Sequence, residues 1–125
     1  MSGRLDPVER RLIALLEGTV RGPRQNATFA IWLVVRLCDG LLPPDPLSST
    51  AGRRRAASVE HRIASLTLPA PVRRGVAAAL RELGMGTPAA GALALQQLVA
   101  PAREALGGEV ADVLAEAARA AREAE

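Results

Sequence analysis

The residues best suited to chemistry gather in one stretch: Arg53, Arg54, Arg55, Ser58, His61 and Arg62. Their chemistry is anion binding, because the planar guanidinium meets a carboxylate or phosphate through two parallel hydrogen bonds. At about 100° per residue, Arg54, Arg55, Ser58, His61, Arg62 and Ser65 fall within a helical arc of about 120°. No carboxylate enters that arc, and Glu60 lies on the other flank beside Arg53. Arg53-Arg54-Arg55 also occupies the opening turns of its helix, where the macrodipole favours acids and each cation costs a few tenths of a kcal/mol. A locally unfavourable choice without visible compensation is where a function is to be sought. Arg73 and Arg74, soon after Pro71, repeat the pattern at the next helix start and are candidates to extend the patch. The competing expectation is a solvated face, or one neutralised by Glu104, Glu109, Asp112 or Glu116.

The remaining reactive groups are few. His61 is the single imidazole and lies opposite the Val59/Ile63/Leu66 stripe, hence toward solvent. Cys38 sits near the end of the most apolar helix, the ordinary place for a small buried thiol. The chain has no Gly-rich phosphate loop, no paired-His metal motif and no nucleophile elbow. These absences predict a chain that is not an enzyme and holds no cofactor or metal. Gln96-Gln97 interrupts a nearly apolar helix, so at least one amide is expected to face inward. There it would need a partner, since an unsatisfied buried amide costs about 1–3 kcal/mol.

The charge is split along the chain. Residues 1–74 carry 12 Arg against six acids and residues 75–125 carry four Arg against seven, which sums to the net +3. Such asymmetry points to nucleic acid or an acidic partner. All 16 basic residues are Arg, so the choice of Arg over Lys at any one position carries no information.

The elements that position these residues are helices. With 18 Leu, 10 Val, 3 Ile and 25 Ala in 125 residues, the chain can fill one core but not two, so residues 1–125 are expected to form a single domain. Asp6-Pro7-Val8-Glu9 opens a first helix whose Val8, Leu12, Leu15 and Leu16 stripe ends at Gly18. A loop from Thr19 to Gln25 and a cap at Asn26 predict a second helix from Ala27 to Asp39. It is apolar nearly all round and therefore central, with Phe29 and Trp32 packed together in the core. Leu41 to Pro46 reads as an extended linker. Ser48, Ser49 or Thr50 starts a third helix to about Thr67, and Val72 to Leu83 forms a fourth that Gly84 stops. A fifth runs from Pro88 to Val99 and is kinked or ended by Pro101. A sixth runs from Glu109 to Ala124, with only Ala on its inner face after Leu114 and fraying expected over 118–125. No alternating run is long enough for a sheet, so the fold is all-α: a compact single-domain bundle of five or six helices.

The longest apolar stretch, Ala27 to Val35, falls well short of the roughly 20 residues that span a bilayer. The short run Leu12 to Leu16 does not make a secretory signal. With one free Cys, the expected location is cytoplasmic, with no membrane partner. The first functional expectation is a non-catalytic interaction, adaptor or regulatory protein. It would bind another protein, acidic in character, or a second copy of itself through the Arg-rich helix. A second is a nucleic-acid-binding protein whose basic arc tracks phosphates, although aromatics for single strands are lacking and Pro69 and Pro71 break any helix-turn-helix spacing. A third is a small-molecule-binding bundle with a cavity beside Trp32 and Phe29. No pattern in the chain is specific enough to name a family.

Overall fold

The computed structural model describes residues 5–18, 21–39, 50–85 and 89–123, and the side chains of these except at 50–53. Among them are six helices and no strand: α1 (Asp6–Gly18), α2 (Pro23–Asp39), α3 (Thr50–Ala64), α4 (Ala70–Met85), α5 (Ala90–Leu106) and α6 (Gly108–Glu123). The all-α bundle expected from the sequence is the fold.

The centre is a pair of apolar helices. On α2, Ala27, Ala30, Ile31, Val34, Val35 and Cys38 are fully buried. On α5, Ala92, Ala94, Leu95, Leu98 and Ala102 are buried to within one per cent of completely. The most extensive packing runs α4 to α5 and α5 to α6, and α2 spans the bundle by touching α1, α3, α4 and α5. Small residues make this possible. Gly91, Ala92 and Ala94 lie buried on α5, and Ala111, Ala118 and Ala121 lie buried on α6. Helices faced with Ala and Gly can approach closely enough to pack backbone against backbone. The inner face of α6 therefore continues past Leu114, and the helix runs to Glu123 where the sequence predicted fraying from 118.

Several boundaries differ from the sequence reading. The second helix begins at Pro23, which takes the first position after Gly22 where its missing N–H costs nothing. Asn26 does not cap it. Its Nδ2 instead donates to the Thr67 carbonyl at 2.9 Å, tying α2 to the α3–α4 connection. The third helix ends at Ala64 rather than Thr67, closed by a turn in which the Leu66 N–H reaches the Ile63 carbonyl at 2.9 Å. Ser48, Ser49, Thr87, Pro88 and the 41–46 linker lie outside the described residues. Gly84 does not stop α4, which continues to Met85.

Pro101 neither ends nor replaces α5, because the helix runs on to Leu106 with Pro101 in its interior. Such a proline ordinarily costs about 3 kcal/mol, having no N–H for the carbonyl four residues back. Here that carbonyl is Gln97's, and α4 lies directly against the site. A Cβ built on Gly75 would stand 2.2 Å from Pro101 Cγ and 3.1 Å from the Gln97 oxygen. Gly75 is thus the position at which α4 passes over the proline bulge of α5. Both Gln96 and Gln97 are exposed, contrary to the inward amide the sequence suggested. Leu95 and Leu98 on either side of them are the buried residues, so the helix turns its amides out and needs no internal partner for them.

Arg24, in the first turn of α2, closes the far end of α5. Its Nη1 and Nη2 donate to the carbonyls of Ala105 and Leu106, both at 3.3 Å, which places a cation on the negative end of that helix. Thr28, fully buried, is satisfied by the Arg24 carbonyl at 3.0 Å. The helix α3 is held most lightly. Only Ala56 and Ile63 of its described residues are buried and Val59 partly so, with Leu66 half-buried in the turn that closes it.

Gly75→Ala should lower stability by about 2 kcal/mol or more in urea denaturation, because α4 must lift from Pro101. Gly84→Ala meets nothing within 4 Å and should instead raise it by up to about 1 kcal/mol through helix propensity. Equal effects at the two glycines would contradict the close approach.

Candidate functional site: a cationic groove between α2 and α3

Because α3 rests on the bundle through few side chains, a groove of about 400 Å³ opens between it and α2. From α2 it is lined by Trp32, Leu33, Arg36 and Leu37, and from α3 by Arg55, Ser58, Val59 and Arg62. The floor is apolar and the walls carry three guanidiniums, with no carboxylate in the lining. Two of these cations are placed by aromatic rings. The Arg36 guanidinium lies 5.6 Å from the centroid of Trp32, and that of Arg62 lies 5.8 Å from the centroid of Phe29. The rings themselves pack together, 5.9 Å apart and tilted by 32°. Cation–π contacts of this kind restrain a guanidinium without neutralising it. The Trp32 indole Nε1 is buried with no acceptor, an uncommon state for a buried donor.

The sequence-derived residues separate into three groups. Arg55, Ser58 and Arg62 join the groove. Arg54 and His61 are exposed on the same helix but do not line it. The side chain of Arg53 lies outside the described residues. Arg73 and Arg74 do not extend the patch. Arg73 lines a second groove between α3 and α4 together with Glu60, and Arg74 lines a third between α4 and α5 together with Glu104. Each of those grooves therefore contains an acid, as the groove of Trp32 does not. The expected neutralisation by the acidic half takes place elsewhere: Glu109 pairs with Arg11, and Asp112 pairs with Arg103 at 2.9 Å. Among the described residues no carboxylate pairs with Arg36, Arg54, Arg55 or Arg62.

Three residues outside the arginine arc bear on the groove in a way the sequence did not indicate. Trp32 and Phe29 were assigned to the core, yet both are only partly buried; Trp32 lines the groove, and Phe29 packs against it. Arg36 carried no functional expectation from the sequence. The signal was the four-residue spacing of Trp32 and Arg36 on one helix, which stacks a cation over a ring.

The other candidate chemistry is weaker. Cys38 is fully buried, and burial with the adjacent Asp39 charge pushes its thiol up to about 12, so no thiolate is present near neutrality. Asp6, Glu9 and Asp39 bring three half-buried carboxyl groups within 4.8 Å of one another. Asp39 Oδ1 accepts the Leu5 N–H at 3.0 Å, fastening the start of α1 to the end of α2. Burial, the Asp39 hydrogen bond and the Asp39 and Asp6 charges raise Glu9 to about 7, against a lowering by Arg36.

No helix among the described residues is long and apolar enough to cross a membrane. No family model, curated protein or solved structure matches the chain.

The raised Glu9 makes the folded state bind more protons than the unfolded state between about pH 4.5 and 7, so its contribution to stability is lost as pH rises through 7. Glu9→Gln should therefore stabilise the protein above pH 7 and leave it little changed below pH 4.5. The gain should be about 1 kcal/mol, the shift being discounted for solvent screening at a half-buried site. Thermal denaturation at both ends of that range checks it, and a variant less stable than wild type above pH 7 would contradict the shared proton.

Proposed function

We propose that this protein is a non-catalytic helical binding module that takes an acidic segment of another protein in the α2–α3 groove. The observation that carries the reading is the convergence of Arg36, Arg55 and Arg62 on one apolar-floored groove that contains no carboxylate. Guanidiniums around an apolar floor, with no carboxylate in the lining, favour a ligand with carboxylates flanking an apolar side chain. Leu33, Leu37, Val59 and the Trp32 ring would receive the apolar part, and the guanidiniums the carboxylates.

A nucleic-acid ligand is less well supported. The cations surround one concave site rather than forming a stripe, and Phe29 and Trp32, the two aromatics of the chain, are engaged with each other. A second copy of the chain is also a poorer fit, since Glu109 and Asp112 of α6 are already paired. A cytoplasmic location belongs to the same proposal and is supported by the single free thiol.

A short synthetic peptide of Glu, Asp and Leu should bind and change Trp32 fluorescence. The variant Arg36→Ala/Arg55→Ala/Arg62→Ala should bind at least about tenfold more weakly, at about 1 kcal/mol per lost charge-assisted contact. Arg73→Ala/Arg74→Ala should bind as wild type. Tighter binding of duplex DNA with a steep salt dependence would replace this reading with the nucleic-acid one. A salt-sensitive dimer in sedimentation that the triple substitution dissolves would replace it with self-association.

A further inference from the structure

The groove shares one residue with the carboxyl cluster at the end of α2. Arg36 lines the groove above Trp32, and its positive charge also acts on Glu9. Asp39 lies three residues further along the same helix, and its carboxyl stands within 4.8 Å of those of Glu9 and Asp6, close enough for Glu9 and Asp39 to share a proton. Two carboxyl groups can share a hydrogen bond only while one of them is protonated. Asp39 cannot swing away freely, because its Oδ1 also holds the Leu5 N–H. Asp39 is therefore held at the cluster, and a change in the protonation of the pair alters the charge beside Arg36.

We propose that the α2–α3 groove is gated by protons: when the Glu9–Asp39 pair holds its proton, the Arg36 charge is left to the groove, and when the proton leaves, the carboxylates draw on that charge and anion binding weakens. This inference rests on the binding function proposed above and adds its regulation. The only transfer is of one proton from solvent to the carboxyl pair. Linkage makes the effect reciprocal, so an anion seated against Arg36 raises the proton affinity of the pair.

The helices that pack against α1 are α2 and α6. On α1 itself the Asp6 charge opposes ionisation of Glu9. On α2, Asp39 opposes it and Arg36 favours it, while Cys38 stays neutral as a buried thiol. From α6 comes Glu109, which is held by Arg11. The balance of these charges sets proton release close to neutrality, at about 7. A unit charge acting through Arg36 at partial exposure and physiological salt should alter affinity about threefold to tenfold.

The test is affinity for the Glu/Asp/Leu peptide from about pH 6 to about pH 8, where carboxylates of ordinary pKa stay ionised. A chelator is present, so that protons alone can occupy the cluster. The account predicts that wild-type affinity falls about threefold to tenfold across this range. Glu9→Gln, neutral at every pH, should keep the low-pH affinity throughout, and His61→Gln should keep the wild-type slope. A carbon-13 titration of the Glu9 carboxyl should also move upward in pH when peptide is added. An unchanged slope in Glu9→Gln, or a slope abolished in His61→Gln, would overturn proton gating while leaving the groove as a binding site. Absence of peptide binding at every pH would overturn the groove reading and the gating with it.

Discussion

The closest constraint in the molecule is the passage of α4 over the proline bulge of α5. Pro101 leaves the Gln97 carbonyl without its helical donor and pushes a ring toward α4, and Gly75 is the residue that lets α4 come that near. Once these helices are in contact, the rest of the packing follows. The small residues of α5 receive α6 on another face, α2 covers a further face with its apolar run, and α1 closes over α2 and α6. Most of the buried area is used in this assembly. The amphipathic but Arg-rich α3 is left to cover what remains with Ala56, Ile63 and the edges of Val59 and Leu66. Fully burying a side chain the size of Ile63 contributes about 1.5–3 kcal/mol, so α3 is attached by few such terms.

That light attachment is what creates a site. A helix packed as closely as α6 would leave no groove, whereas α3 leaves open space on both of its sides. The two sides differ in charge. Toward α4 the groove mixes Glu60 with Arg73, and toward α2 it holds three cations, two of them steadied by the Phe29–Trp32 pair. The arrangement costs some stability, because like charges repel and an indole N–H is left without an acceptor. Local disadvantages of this kind are compatible with a fold whose stability lies elsewhere, in α4, α5 and α6. The same α2 helix carries Arg36 toward the groove and Asp39 toward α1, so the groove and the carboxyl cluster are joined by one turn of backbone.

The sequence revealed the architecture because helices announce themselves through period and caps. Gly18 and the Asp6-Pro7 start lie where the caps and the Val8/Leu12 stripe put them. It was less informative wherever tertiary contact overrode a local rule. Pro101 breaks helices in isolation, but here packing holds the helix through it. Gly84 permits a stop without enforcing one. Asn26 favours a cap but found a better acceptor in the Thr67 carbonyl. The arginine arc of α3 was legible in composition and angle, since the exposure of Arg54, Arg55, Ser58, His61 and Arg62 follows directly from the buried stripe opposite. What no single-helix wheel could give was the other wall. Trp32 and Arg36 acquire their role only because α3 lies across them, and the carboxyl cluster exists only because α1 returns to the end of α2.

The central claim is that Arg36, Arg55, Arg62 and Trp32 form one binding site. The most direct measurement is nuclear magnetic resonance of the arginine Nε–Hε groups and the Trp32 indole N–H while the acidic peptide is added. The account predicts that these four signals move together and saturate at one peptide concentration, while Arg73, Arg74 and Arg81 stay in place. Movement spread evenly over all arginines, or centred on those of α4, would contradict it.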